Sequence, residues 1–179
     1  MSDDREEAFQ TFGEELVSRN PYWEHRRDRY ALPGDSTPRV YDYVWTRGSV
    51  LILPRLADGR LALVRQLRYL GRRPCLEFPG GGVPEGMTPL DAARLELREE
   101  TGFTAGAWRR LGAFNPCKGI VAETCTVFLA EDLTDGEPDP EDSEVLTRVL
   151  MERGELRAAI QRGELWDGMS LAALALLEL

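Results

Sequence analysis

The chain has 179 residues, a length typical of one ordinary domain that buries about two-thirds of its unfolded surface. Its 31 acidic and 22 basic residues give a net charge of −9, which argues against a general nucleic-acid or membrane-surface binder. The cysteines, Cys75, Cys117 and Cys125, lack metal-site spacing, so we expect reduced thiols in a cytoplasmic protein. We expect no membrane span, because no stretch approaches the roughly 18 apolar residues it needs.

The first segment, Asp3 to Arg19, is predicted to form a short amphipathic helix. Its apolar residues recur among charged ones at helix-like intervals, at Phe9, Phe12, Leu16 and Val17. The spacing therefore predicts a helix before the first sheet.

From Tyr22 to Trp45 the pattern changes to aromatic and β-branched residues around the turn-like sequence Pro33-Gly34-Asp35, which predicts a two-stranded ribbon. The second strand alternates, so that Tyr41, Tyr43 and Trp45 share one face. These rings either cover a core or an oligomer interface, or they stack on a ligand.

A dense apolar run from Ser49 to Leu56, the hairpin signal Asp58-Gly59 and a return strand from Arg60 to Leu67 predict two sheet strands. Arg65 and Arg68 bring positive charge to the end of the second strand. They either grip phosphate or form a solvated strand end.

The stretch from Gly80 to Phe103 combines a glycine turn, a loop and a helix, and it follows a short strand at Cys75 to Phe78. Consecutive glycines allow the backbone to approach a ligand closely. The helix is predicted to begin at the N-cap Thr88 with Pro89 in its first turn, and to end at Gly102.

Three glutamates of this helix, Glu96, Glu99 and Glu100, are spaced i, i+3 and i+4 and so share one helical face. Convergent carboxylates repel one another unless a cation lies between them, and oxygen ligands of this kind suit Mg²⁺ or Mn²⁺. The spacing therefore predicts a divalent metal site. Leu90, Ala93 and Leu97 form a second stripe that packs on a sheet.

The rest of the chain is predicted to add three strands and two helices: Leu111 to Phe114, Thr124 to Ala130, Val145 to Leu150, Glu155 to Gln161, and Ser170 to Leu177 with Ser170 as its cap. An acidic, proline-containing loop from Asp132 to Glu144 is either a solvated tether or a mobile lid that supplies a general base. Glu144, Glu141 and Asp142 are placed for that second role.

The glycine-to-glutamate stretch resembles the signature of the Nudix hydrolases: Gly, five residues, Glu, seven residues, then Arg-Glu-apolar-any-Glu-Glu-any-Gly-apolar. The matching residues are Gly81, Glu96, Leu97, Glu99, Glu100, Gly102 and Phe103. Met87 stands where the family has its first Glu, and Leu95 where it has Arg. We interpret this joint departure as an ion pair replaced by an apolar contact.

The resemblance implies an α+β Nudix fold, an α/β/α sandwich with a mixed sheet between helices, preceded by an N-terminal β ribbon. Residues 1–47 would form the N-terminal helix and ribbon, and residues 48–179 the hydrolase domain. From about Tyr22 onward, the order of motifs is similar to that of the ADP-ribose and ADP-sugar pyrophosphatase branch. In that branch the ribbon is exchanged between subunits and helps to bind the base, which implies a homodimer.

Residue roles follow from the same resemblance. The Gly80 carbonyl and the side chains of Glu96, Glu99 and Glu100 would hold metal. Arg68, with Arg65 nearby, would contact phosphate, and Tyr41 or Trp45 would stack on the nucleobase. Glu144 would be the first candidate for the general base and Glu141 the second.

The implied reaction is metal-dependent hydrolysis of the pyrophosphate bond of ADP-ribose or an ADP-sugar, giving a nucleoside monophosphate and a sugar phosphate. A GDP-mannose, a UDP-sugar or another nucleoside diphosphate derivative is the alternative substrate. An alternative of another class is a module that senses a nucleotide with weak or no catalysis.

Overall fold

The computed structural model describes residues 9–140 and 145–178. These residues form two compact units, which divide between Arg47 and Gly48, and the short segment Cys117–Glu123 belongs to the first unit. The strands are β1 (Gln10–Arg19), β2 (Glu24–Ala31), β3 (Arg39–Trp45), β4 (Ser49–Pro54), β5 (Leu61–Arg68), β6 (Arg73–Glu77), β7 (Gly80–Gly82), β8 (Thr104–Phe114), β9 (Val121–Ala122), β10 (Cys125–Thr134) and β11 (Leu146–Met151). The helices are α1 (Pro89–Thr101), α2 (Arg153–Gln161) and α3 (Gly168–Glu178).

The first unit contains one sheet with the strand order β1-β2-β3-β9. β2 and β3 pair antiparallel across the turn at Gly34, so the predicted ribbon is confirmed. Asp35 closes this turn, since its N–H donates to the Leu32 carbonyl. Hydrogen bonds to its carboxylate from the Thr37 side chain, the Thr37 N–H and Arg39 lower the pKa of Asp35 to about 2.

The predicted N-terminal helix is wrong where the structure describes it, because Gln10–Arg19 forms the strand β1. This strand pairs antiparallel with β2, and the ladder skips one residue at Phe12 and another at Val17. Each irregularity adds a residue to the strand and shifts its alternation, as a β-bulge does. The two bulges therefore explain why apolar residues of an extended strand recur at helix-like spacing.

The second unit contains two sheets, with strand orders β7-β4-β10-β8 and β11-β5-β6. β4 and β10 pair in parallel at the centre of the first sheet, and the other ladders of both sheets are antiparallel. The predicted strand pair around Asp58-Gly59 is present as two strands. They do not form a ladder with each other, however, and a single bridge joins Arg55 to Leu61.

Helices cover both faces of these sheets. On one face, Ala92, Ala93 and Leu97 of α1 pack in a cluster with Val50 and Ile52 of β4. On the other face, the alternate residues of β4, Leu51 and Leu53, pack with Leu156 of α2 and Ala173 of α3. The fold predicted for this region, helices on either side of a mixed sheet, is confirmed.

The prediction that Ser170 caps the last helix is wrong. Asp167 occupies that position, since its carboxylate accepts hydrogen bonds from the N–H groups of Met169 and Ser170. Ser170 is buried, and its hydroxyl accepts a hydrogen bond from the Phe78 N–H at 3.0 Å. Ser170 thus joins α3 to the segment that precedes the glycine strand.

Within the described ranges, no helix is both long and apolar enough to span a membrane. The three cysteines are free thiols, with Cys75 and Cys125 buried and Cys117 exposed. Burial raises the pKa of the Cys75 thiol to about 11.

Candidate active site

Helix α1 is fixed at both ends by local signals. The Thr88 hydroxyl accepts a hydrogen bond from the Asp91 N–H at 3.2 Å, and Pro89 occupies the first turn. Gly102 ends the helix with a φ of 74°, a left-handed conformation that favours glycine, and its N–H donates to the Arg98 carbonyl. The helix therefore begins and ends where the sequence predicts.

Glu100 joins this helix to the glycine strand β7. Its carboxylate accepts a hydrogen bond from the Gly80 N–H at 3.0 Å, and only 3% of the residue is exposed. A β-carbon at Gly80 would overlap the carbonyl of Val50 on β4. Glycine is therefore required for β7 to lie this close to β4 while it meets the helix.

Glu96 lies one turn earlier on the same helix and faces the next glycine. A β-carbon at Gly81 would lie 2.7 Å from the Glu96 carboxyl carbon, which is closer than any real contact permits. Gly81 thus leaves the space that the Glu96 carboxylate fills. The glycine turn and two of the predicted glutamates form one site.

Glu99, the third predicted glutamate, has a charged neighbour on the helix itself. Its carboxylate lies 3.2 Å from the guanidinium of Arg98, on the partly exposed side of the helix. In the described part of the chain no three His, Cys, Asp or Glu side chains come together as a metal cluster, and the predicted convergence of all three glutamates is not observed.

The residues present nevertheless fit a divalent cation by their chemistry. Glu96 and Glu100 are hard oxygen donors of the type that Mg²⁺ and Mn²⁺ prefer. Gly80, whose N–H bonds Glu100, also offers a backbone carbonyl from strand β7. A bound cation would also stabilise the charge of Glu100, which is 3% exposed.

Arg68, the predicted phosphate ligand, forms a bidentate ion pair with Glu77. The Arg68 Nε donates to Glu77 Oε1 at 2.8 Å, and Nη2 donates to Oε2. These hydrogen bonds with Glu77 raise the pKa of Arg68, and the negative charge of Glu100 adds to the effect. Arg68 therefore lies in the electrostatic field of the glutamate site.

Glu77 is the residue of this site that the sequence analysis missed. It lies on β6 and is 5% exposed, in a strand that is otherwise apolar at that end. Burying an unpaired carboxylate is costly, so a glutamate between Leu76 and Phe78 was a detectable signal for a buried partner. Arg65, the other predicted phosphate ligand, is 3.3 Å from Glu164 and pairs with it.

The two aromatic candidates lie in the first unit and differ in their surroundings. The Tyr41 hydroxyl donates to the Gly119 carbonyl at 2.7 Å, and its ring packs edge-on against Tyr30. The Arg26 guanidinium lies 4.2 Å from the centre of the Trp45 ring. Trp45 also lines a pocket of about 370 Å³ with Tyr22 and Trp23, two aromatic residues that the sequence analysis did not single out.

Glu141, Asp142 and Glu144, the candidates for the general base, lie outside the described residues, so that role stays a prediction. Of the residues that replace the family's ion pair, Met87 is 43% exposed and Leu95 is half-buried on α1. The proposed contact between them also stays a prediction.

Three comparisons with known proteins bear on the family of this chain. The model of the NUDIX domain matches residues 45–173. An ADP-ribose pyrophosphatase of Bacillus subtilis is 30% identical over 136 residues, which cover 74% of this chain and 72% of that protein. An ADP-sugar pyrophosphatase of Mus musculus is 27% identical, with 80% of this chain and 73% of that protein covered.

A solved structure described as an ADP compounds hydrolase superimposes on this chain with a TM-score of 0.80 at 21% sequence identity. The superposition covers 95% of this chain and 92% of the chain of that structure. At that identity the likeness shows the fold. The family model and the Bacillus relative show the family: this chain belongs to the Nudix family. It is a Nudix pyrophosphohydrolase, a class of enzyme that generally uses divalent metal ions.

Proposed function

We propose that this enzyme hydrolyses the pyrophosphate bond of ADP-ribose or an ADP-sugar, giving AMP and a sugar phosphate, with Mg²⁺ as its metal. The observation that carries the proposal is the junction of Glu100 and Glu96 with the glycine strand at Gly80 and Gly81. The substrate class is supported by the names of the bacterial and mouse relatives, each covered over more than two-thirds of its length.

In the proposed mechanism, bound Mg²⁺ would activate water and neutralise charge on the pyrophosphate. Glu96 and Glu100 would hold it, with the Gly80 carbonyl as a third donor and Glu99 as a further ligand if its side chain leaves Arg98. The Gly80 N–H keeps the Glu100 carboxylate in a fixed orientation through the 3.0 Å hydrogen bond. A glutamate of the acidic loop, Glu144 or Glu141, would accept the proton of the attacking water.

Arg68 would hold a substrate phosphate. Its Nε and Nη2 bond Glu77, and the geometry of the guanidinium directs Nη1 away from that carboxylate. Glu77 thus orients the arginine. Arg65 remains a second candidate for phosphate contact, although it would first have to leave Glu164.

We propose that Trp45 rather than Tyr41 stacks on the nucleobase. Trp45 lines a pocket with two further aromatic rings and two arginines, Arg19 and Arg47, whereas the Tyr41 hydroxyl and ring are engaged within the sheet. Trp45→Ala should raise KM for ADP-ribose and leave kcat nearly unchanged. Tyr41→Ala is the matched variant; a rise in KM there with no rise in Trp45→Ala would favour Tyr41, and an equal rise in both would contradict the preference for Trp45.

We also propose a homodimer formed through the first unit. In the described part of the chain β1 is an outer strand of its sheet, and it exposes 51% of Leu16 and 39% of Val17. An exposed apolar edge strand is a template for pairing with another chain. Light scattering after size exclusion should give twice the chain mass, and Leu16→Glu should shift the protein toward the monomer.

The substrate experiment incubates the protein with ADP-ribose, GDP-mannose and UDP-glucose, each with Mg²⁺, and measures the mononucleotide released. Release of AMP at the highest kcat/KM supports the proposal. Release of GMP or UMP in preference would support the alternative substrates. Binding of ADP-ribose without release of AMP would instead indicate a nucleotide-sensing module.

A further inference from the structure

The C-terminal end of α1 is held by groups from outside the helix. The last carbonyls of a helix have no partner within it and need one elsewhere. The Glu99 carbonyl accepts a hydrogen bond from the Asp139 N–H at 2.9 Å. The Thr101 carbonyl accepts one from Arg148 Nη1 at 2.6 Å.

Arg148 makes a second bond with the same nitrogen. Nη1 also donates to Asp135 Oδ1 at 2.6 Å, and the guanidinium carbon lies 4.4 Å from the centre of the Phe103 ring. A quarter of the Arg148 side chain is exposed. A largely covered cation at a helix C-terminus interacts favourably with the helix dipole, and its charge-assisted bonds are stronger than neutral ones.

The segment from Asp135 to Asp139 lies directly against the helix end. A β-carbon at Gly102 would lie 2.7 Å from the Gly136 carbonyl carbon, so glycine is required at this contact as well as for the positive φ. The Asp139 carboxylate is 3.8 Å from Arg98, the residue that pairs with Glu99. The acidic segment is therefore joined to the turn of α1 that carries Glu99 and Glu100.

We propose that Arg148 is a positioning residue for the hydrolytic reaction: it joins the segment Asp135–Asp139 to the last turn of α1 and so fixes the turn that carries Glu99 and Glu100. This inference rests on the proposed function. Arg148 acts through the Thr101 carbonyl and the Asp135 carboxylate and contacts no reacting atom.

The two hydrogen bonds of Arg148 indicate which residue can substitute for it. Because one nitrogen of Arg148 bonds both acceptors, we expect a lysine ammonium, which has three donors, to make both bonds. A glutamine keeps donors but loses the charge. Arg148→Lys should therefore hold the last turn of α1 nearly as well as arginine does, and Arg148→Gln should not.

The matched control is Arg55. It lies in the same groove as Arg148, and it pairs with Glu131 at 2.6 Å on β10 rather than with the helix end. Arg55→Gln removes the same charge from a side chain that is 40% exposed, against 25% for Arg148. It should leave hydrogen exchange at the end of α1 and the Mg²⁺ requirement of hydrolysis unchanged.

The experiment combines hydrogen exchange of the full chain with the Mg²⁺ dependence of ADP-ribose hydrolysis. In Arg148→Gln, we expect faster exchange in peptides covering residues 98–103 and 135–140. We also expect the Mg²⁺ concentration for half-maximal activity to rise by roughly tenfold, the size of effect that partners of metal ligands typically have. Arg148→Lys should restore both values to within about threefold of the unmodified chain, since it can form both bonds.

If the unmodified enzyme is active but Arg148→Gln shows unchanged exchange or an unchanged Mg²⁺ requirement, the role of Arg148 is overturned. The proposed function then still stands. Absence of hydrolysis by the unmodified enzyme would overturn the proposed function, and the catalytic part of the inference with it. If Arg148→Gln does not fold, Asp135→Asn gives the same test from the other partner: a normal Mg²⁺ requirement there would overturn the role.

Discussion

Glu100→Gln should abolish hydrolysis and preserve the fold. Glutamine has nearly the same shape as glutamate, and its side-chain oxygen can still accept the hydrogen bond from the Gly80 N–H. A bond to a neutral acceptor is weaker than a bond to a charged one by about 1 kcal/mol. The loss is partly offset, because a carboxylate that is 3% exposed no longer has to be desolvated.

We therefore expect a change of at most about 3 °C in Tm for Glu100→Gln. The effect on turnover should be much larger. Substituting residues that only support a metal ligand typically costs 10–100-fold, so the loss of a ligand should exceed roughly 100-fold in kcat. The assay follows AMP release from ADP-ribose at saturating Mg²⁺, beside thermal unfolding of the same preparation.

Glu131→Gln is the matched control, since Glu131 pairs with Arg55 rather than with a backbone group of the glycine strand. It should retain full activity. Unchanged turnover in Glu100→Gln would refute the assignment of Glu100 to the metal site, and with it the reading of the glycine junction as the catalytic centre.

Three further predictions test other parts of the structure. Gly81→Ala should lower activity by roughly tenfold, because its β-carbon displaces the Glu96 carboxylate, whereas Gly82→Ala, with open space at that position, should not. Leu95→Arg alone should not raise kcat if an apolar contact has replaced the family's ion pair, and a large gain would contradict that reading. Iodoacetamide at pH 7.5 should label Cys117 only, since Cys75 is buried with a pKa raised to about 11 and Cys125 is buried, and mass spectrometry should find three labels after denaturation.

The sequence predicts α1 well because its determinants are local, whereas the predicted glycine turn is in fact the short strand β7, paired with β4. The cap Thr88, the first-turn Pro89 and the terminal Gly102 act within a few residues of the helix ends they define. The complete burial of β4 likewise follows from a continuous apolar run between two covered faces. No tertiary information is needed to read such features.

The features that were missed depend on partners distant in sequence. The pairing of Arg68 with Glu77 depends on the register of β5 against β6, which spacing alone does not reveal. The hydrogen bond between Gly80 and Glu100 depends on which side of α1 meets β7, which the spacing of the glutamates does not reveal. The cap Asp167 was overlooked because Ser170 is an equally good capping residue by type.

The two bulges of β1 have a consequence for solubility. A long strand with one free edge and exposed apolar side chains invites the addition of strand after strand from other chains. The unpaired residues Phe12 and Val17 interrupt the ladder and increase its twist, so the edge is not a flat template. Such an edge can accept one partner of matching curvature while it resists open-ended fibre growth.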